Sequence, residues 1–323
     1  MTCAFQALAF CGLAALSAVL GLLFTGADRI VVARMQGRIG PLLQQPFRDL
    51  AKLLRKQETM PAGAVGWLFR AAPAAALAGA LCVTAYVPLF GFEPPFGCGG
   101  DAVLVLYLLL VPGLAMVLGG FASGSPYAAI GAQREMVTMM SYEVPLAATM
   151  MAFAWRFSLA GADAPFSLAT MAATPVWSLV GPAGAVGALL LFAVMLAVMP
   201  GELGRIPFDA PEAETELAGG ILVEYSGRNF ALFQLALAVK TVAMCGVVIA
   251  LFAPWNFGLP GWVAWPLKAG VLMFASVSLP RAAMARFRIS QVAGFYWKWL
   301  GAAALLGLLF LVLDARLCGG IGA

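Results

Sequence analysis

Histidine is absent from the chain, which excludes bis-His haem ligation and any His-based metal site. The six cysteines, Cys3, Cys11, Cys82, Cys98, Cys245 and Cys318, include no C-x-x-C pair. An iron–sulfur cluster or nickel site held by this chain alone is therefore not expected, and electron transfer must occur in another subunit. Charge is scarce too. Only 11% of the 323 residues are charged and 63% are hydrophobic, whereas a soluble domain has about a quarter charged. The chain belongs in a bilayer. Its first apolar run, residues 4–24, has no basic residue before it and no small-x-small cleavage site leading into a soluble domain, so it reads as a membrane helix and not as a cleaved signal.

Runs long enough to cross roughly 30 Å of hydrocarbon, about 20 residues each, lie near residues 4–25, 67–90, 102–120, 136–155, 178–200, 230–253, 262–280 and 299–315. The fold class expected is an all-α integral membrane protein of about eight transmembrane helices. It forms one domain over residues 1–323, with no internal repeat or linker. Basic residues crowd the segments after the odd-numbered spans, and the opposite side holds little beyond Arg156 and Arg316. By the positive-inside rule, segments 28–66, 123–134, 201–228 and 281–297 are cytoplasmic and both termini are outside. The formal charge of +4 then reports topology and contact with anionic lipid or a soluble partner, not nucleic acid. Cys98 and Cys318 fall on the same side and could pair, although small apolar filler is the simpler role for most of the cysteines. The Pro-rich outer segment 156–182 is expected to lie on the membrane surface.

Three segments do not read as plain membrane helix. In DRIVVARMQGRIGPLLQQPFRDLAKLLRKQ, Pro46 can open a helix whose Phe47, Leu50, Leu53 and Leu54 lie opposite Arg48, Lys52, Arg55 and Lys56. Such an amphipathic helix either rests on anionic headgroups or offers a docking platform. In GSPYAAIGAQREMVTMMSYEVPL, Glu135 and Glu143 stand eight residues apart, close to one helical face, with Tyr142 beside them. A carboxylate at the bilayer centre costs at least about 2.5 kcal/mol unless it meets a polar cavity or partner. Glu143 is then a protonatable group on an ion path, unless an Arg134 pair with an acid of the neighbouring loop explains the charge. The third segment, PGELGRIPFDAPEAETELAGGILVEYSGR, sets Glu202, Asp209, Glu212, Glu214, Glu216 and Glu224 against only Arg205 and Arg228. A helix beginning at Pro211 would align Glu212 with Glu216, and crowded carboxylates raise one another's pKa toward a range useful for proton relay. A solvated acidic loop is the alternative, but Ile206, Pro207, Phe208, Leu217, Ile221, Leu222 and Val223 are too apolar for a free loop. Lys240, deep in the sixth span, is a candidate counter-ion, and Lys268 is a further intramembrane charge.

Taken together, R-x-G-P-L-L-Q-Q-P-F-R-D-L-A-K-L-L-R-K, G-S-P-Y-A-A-I-G-A-Q-R-E with S-Y-E, and I-P-F-D-A-P-E-A-E-T-E-L-A-G-G-I-L-V-E-Y-S-G resemble the respiratory complex I subunit 1 family over nearly the whole chain. The resemblance is closest to its branch in group 4 membrane-bound [NiFe]-hydrogenases, which includes formate hydrogenlyase, the energy-converting hydrogenases and the carbon monoxide-induced hydrogenase. Two departures favour that branch. Gly40-Pro41-Leu42-Leu43-Gln44-Gln45-Pro46 is more compact than the usual complex I segment, and the F-x-x-E-Y-A-N pattern expected after Tyr225 is replaced by Phe233-Gln234-Leu235-Ala236-Leu237-Ala238-Val239-Lys240. The resemblance implies a non-catalytic anchor and coupling subunit in a bacterial or archaeal cytoplasmic membrane. Hydrogenase large and small subunits, an iron–sulfur subunit and an antiporter-like membrane subunit are the implied partners. The [NiFe] centre and [4Fe-4S] clusters would be in those partners and no cofactor in this chain. Carried over by motif, Glu143, Glu202, Asp209, Glu212, Glu214, Glu216 and Glu224 would form an acidic proton path, with Lys240 beside it and Arg134 and Arg205 as charge partners. Arg34, Arg38, Arg48, Asp49 and Lys52 would form the docking surface. A quinone-site subunit of an NADH dehydrogenase and a free-standing transporter are the competing readings.

Overall fold

The structure, a computed structural model, describes residues 2–96, 101–256 and 258–319. Seven helices are long and apolar enough to cross a membrane. They are α1 (Thr2–Met35), α3 (Gly66–Thr84), α4 (Ala102–Ala122), α7 (Pro182–Glu202), α9 (Gly227–Phe252), α10 (Gly261–Met273) running on through a π-helical stretch into α11 (Leu279–Ala283), and α12 (Ile289–Gly294) running on through a second into α13 (Gly301–Gly319). Shorter pieces are α2 (Gln45–Arg55), α6 (Leu168–Ala173) and α8 (Glu214–Leu217). An eighth long helix, α5 (Pro126–Leu159), has 34 residues, about 51 Å at 1.5 Å per residue. Arg134, Glu135, Glu143 and Arg156 dilute its apolar character, yet it packs along both α4 and α7 inside the bundle. Among the described residues there is no β-strand.

The helices reach further than the apolar runs. Helix continues through charged and polar residues at the ends, so α1 runs on through Arg29, which pairs with Asp49, and the exposed Arg34, α5 begins ten residues before Met136, and α12 begins at Ile289. The expected segments 28–66, 123–134 and 281–297 are correspondingly shorter. Prolines 73, 112, 145, 200 and 266 lie inside helices, which a membrane bundle tolerates because neighbours and local π adjustments re-satisfy freed backbone groups.

At the centre stands α9, with 89% of its most apolar stretch buried inside the bundle against 22–61% for the other crossings. Lys240, midway along it, is therefore enclosed by protein. Segment 156–182 packs part of its length against the bundle and leaves much of the rest exposed. Leu168, Met171 and Val176 are buried, with α6 against α9 and the Trp177 indole N–H donating to Phe252 O at 2.7 Å. The expected single helix from Pro211 is also absent. Residues 210–212 form one 3-10 turn, Ala213 is extended, and α8 is a separate turn. Cys11, Cys82 and Cys245 are free; the candidate Cys98–Cys318 pair lies outside the described residues.

Candidate functional site

The acidic segment between α7 and α9 folds over the end of the bundle that carries the basic segments and encloses ionisable groups from several helices. Its position is fixed by close approach. At Gly131 of α5 an added Cβ would stand 2.6 Å from Ile221 N, and Gly220 adopts φ +60 against the Pro211 carbonyl. Tyr225 anchors the other end by stacking on Phe69 at 4.1 Å between ring centroids and donating to Phe69 O at 3.1 Å. Burial pushes its phenol above the ordinary tyrosine pKa.

Beneath this segment α9 carries Lys240 and α7 ends on Glu202. Lys240 Nζ lies 2.8 Å from Glu202 Oε1, and the two side chains are 2% and 0% exposed. They line a cavity of about 20 Å³ together with Gly113 and Met116 of α4, Glu135 of α5, and Leu203, Gly204, Asp209, Pro211, Glu212 and Leu237. A volume of that size holds a single water. Four carboxylates, Glu135, Glu202, Asp209 and Glu212, thus converge on one ammonium. Gly113 lies beside one of them, since a Cβ there would be in ordinary contact with Glu135 Oε1 at 3.7 Å. Tyr142 and Tyr296, both fully buried, face each other edge-on at 6.2 Å beside Glu202, and Tyr296 donates to Ala197 O at 3.2 Å.

At the outer lip of the cavity Arg286 holds Asp209 in a bidentate grip, with Nε to Oδ1 at 2.8 Å and Nη2 to Oδ2 at 2.7 Å. Next to it, Asp28 of α1 accepts from Ser278 Oγ at 2.7 Å and pairs with Arg281 at 2.5 Å. Arg205 lies nearby. Burial holds its guanidinium below the ordinary arginine pKa, with Asp28 and Glu212 opposing that effect and Arg281 and Arg29 adding to it.

Of the acids carried over by motif, Glu202, Asp209 and Glu212 line the cavity. Glu216 does not. It pairs with Arg134 at 2.5 Å on a half-exposed outer face, because the break at Ala213 turns it away from Glu212. Glu143 and Glu224 are half-buried and outside the cavity lining, and the side chain of Glu214 lies outside the described residues. Glu135 takes the place expected of Glu143. Eight residues turn a helix by about 80°, so the two do not share a face, and Glu135 is the one aimed between α4 and α7. Arg286, Asp28 and Arg281 were not among the expected site residues. Their contributions come from partners 77 to 253 residues away in sequence, which no local spacing reveals.

The expected docking residues fall on the basic end. Arg34, Arg38, Arg48 and Lys52 are exposed, as are the apolar Ile39, Leu42 and Leu43 between them. Asp49 instead looks inward, meeting Arg29 at 3.1 Å and Gln45 at 2.8 Å, and so ties α2 to α1. Between α1, α2 and α9 opens a second cavity of about 390 Å³, with Leu22, Leu50, Leu53 and Phe230 on its apolar wall and Arg29, Lys52, Lys56 and Arg205 on its basic one.

Residues 8–312 match the family described as NADH dehydrogenase. The chain is 33% identical over 291 residues to hydrogenase-4 component C of Escherichia coli K12, covering 88% of this chain and 89% of that protein. It is 35% identical over 331 residues to an NADH-quinone oxidoreductase membrane protein of Thermomicrobium roseum, covering 92% of each. Among solved structures it is similar to a chain of the membrane-bound sulfane sulfur reductase, an archaeal respiratory membrane complex, with TM-score 0.83, 26% identity, and coverage of 95% of this chain and 99% of that one. A match of this extent, on an all-helical bundle whose acidic segment caps a buried lysine–glutamate pair, means that the chain belongs to the NADH dehydrogenase subunit 1 family, the membrane subunits of respiratory complexes.

Proposed function

We propose that the chain is the membrane anchor and coupling subunit of a multisubunit [NiFe]-hydrogenase in a bacterial or archaeal cytoplasmic membrane, with its basic end inside and both termini outside. Electron transfer and proton reduction belong to docked soluble subunits that hold the nickel–iron centre and iron–sulfur clusters. This chain contributes the link to proton or sodium movement through an antiporter-like neighbour. One observation supports the reading: Asp209, held by the partly exposed Arg286, lines one cavity with Glu212, Glu135 and the fully buried Glu202–Lys240 pair. Carboxylates enclosed with one ammonium and a water-sized space can each hold or release a proton, and a change of charge at the docked face alters which of them does. The similarity to hydrogenase-4 component C supports the hydrogenase assignment.

The test is Glu135→Gln in the intact complex reconstituted in vesicles. Assembly and hydrogen evolution from an artificial electron donor should persist, while ion translocation falls by at least tenfold. Full translocation would place the path elsewhere. A second reading, a quinone-site subunit, is favoured by the 390 Å³ cavity between α1, α2 and α9, which has apolar and basic walls suited to a long-tailed carbonyl ligand. Nickel and iron co-isolating with the complex support the first reading. Stoichiometric bound quinone without nickel supports the second.

A further inference from the structure

At the end of the bundle remote from the basic segments, two cavities share one wall residue. The first, about 240 Å³, has a mixed lining and sits between the turn after α3, α6 and the start of α10, with its polar groups supplied by Glu93, Asn256, Trp265 and Lys268. The second, about 370 Å³, is an apolar groove on the outside of the bundle, floored by Phe192 of α7 and Val248 of α9 and walled by Leu267, Val271 and Leu272 of α10. Only Lys268 lines both.

Two features of this place have no role in the acid cavity. Lys268 Nζ donates to Ala253 O at 2.8 Å and Trp255 O at 3.2 Å, the carbonyls that follow the end of α9, which leaves one ammonium hydrogen directed to neither. Trp265 is 3% exposed, and its indole N–H has no acceptor among the described residues. A charge at the head of an apolar groove in a membrane protein is costly unless a counter-charge meets it. Among the described residues the one acid on the walls, Glu93, is exposed on the far rim of the first cavity. The groove itself opens to the bilayer, since Leu267 and Val271 are 59% and 68% exposed. Trp255 and Trp262, exposed at the same end, mark the headgroup level where tryptophan gathers. The order from bilayer to interface is therefore an apolar slot, a cation, then a chamber of mixed lining with an unused N–H donor.

We propose that this is a binding site for an anionic phospholipid. One acyl chain occupies the groove between α7, α9 and α10, the phosphate meets Lys268, and the headgroup enters the chamber beside Trp265. The polarity from tail to head is that of an amphiphile. A partner helix, about 10 Å across, would bring apolar side chains to the groove but nothing to answer the ammonium and the indole. A zwitterionic lipid would answer the ammonium but bring a second cation to it.

The test uses the purified intact complex exchanged into nanodiscs with phosphatidylglycerol or phosphatidylcholine carrying the same photoreactive acyl chain, with labelled peptides located by mass spectrometry. Phosphatidylglycerol should label residues 267–272 about tenfold more than phosphatidylcholine. Lys268→Met should reduce that labelling to the phosphatidylcholine level. Val271→Trp, which fills the groove and leaves Lys268 and its backbone bonds in place, should abolish it. If Lys268→Met does not assemble, the headgroup comparison and Val271→Trp decide the matter. Equal labelling by the two lipids, or labelling unaffected by Val271→Trp, would overturn the proposal in favour of ordinary bulk lipid. Crosslinking of a photoreactive residue at position 271 to another subunit would overturn it in favour of a protein partner.

Discussion

Replacing Lys240 by methionine keeps most of the side chain's length and removes its charge. The ammonium lies 2.8 Å from Glu202 Oε1, with side chains 2% and 0% exposed. At an effective dielectric near 20 the direct attraction at that separation is about 6 kcal/mol, an upper bound because the desolvation of the ammonium is relieved when it is removed. Truncating one partner of a buried pair costs about 3–5 kcal/mol. Glu202 can escape part of this by taking up a proton, at about 1.36 kcal/mol per pKa unit, so about 3 kcal/mol is the expected loss for Lys240→Met. The double variant Lys240→Met with Glu202→Gln leaves no buried charge at the pair and should recover about 2 kcal/mol of it. A double-mutant cycle on the stability of the detergent-solubilised complex measures this coupling directly. A Lys240→Met loss below about 0.5 kcal/mol, unchanged on adding Glu202→Gln, would mean that bulk water reaches the pair, and the argument from enclosure by α9 would fail.

Two further outcomes follow from the basic end. Charge reversal at both Arg48 and Lys52, which are exposed on α2, should release the soluble subunits while this chain stays in the membrane, because several charge-assisted contacts are lost together; unchanged assembly on native gels would favour α2 as a lipid-facing helix. Single cysteines at Arg48 and Trp255 should react with an impermeant thiol reagent from opposite faces of sealed vesicles, and reaction from one face alone would contradict the proposed topology.

The crossings were legible because a 20-residue apolar run has few alternatives in a chain with 11% charge. Their ends were not, because helices such as α5 continue through residues whose cost is met by neighbours absent from the local sequence. Arg134 illustrates this: it is helical, and its charge is answered by Glu216, 82 residues away. The acidic segment was recognisable as half-buried from its interleaved Ile206, Phe208 and Ile221, all within the folded cap. Which acids turn inward was not recognisable. That choice depends on the break at Ala213, which separates Glu212 from Glu216, and on the 80° between Glu135 and Glu143, which periodicity alone treats as near-alignment. Lys240 stood out as a central charge, but only the packing of α7 against α9 selects Glu202 from six nearby acids as its partner.

The ion pairs around the cavity differ in depth. Asp209 and Asp28 are buried but gripped by Arg286 and Arg281, whose side chains are 28% and 26% exposed. These outer pairs sit where water and a partner subunit can compete for the arginines, so their geometry can respond to docking. The Glu202–Lys240 pair has no such outlet, and a change there must be matched by a proton or by Glu135 across the cavity. Ionisable groups at that depth come one each from α5, α7 and α9, with α4 contributing Gly113 and Met116, small or flexible, where a larger rigid side chain would close the space. A shift of any one of these helices therefore changes the distance between charges directly. The two π-helical stretches, Phe274–Ser278 and Phe295–Leu300, place Ser278 against Asp28 and Tyr296 beside Glu202. Local rewinding of the first stretch would re-aim the Ser278 hydroxyl that now donates to Asp28, and rewinding of the second would move the Tyr296 ring away from Glu202 and its hydroxyl away from Ala197 O.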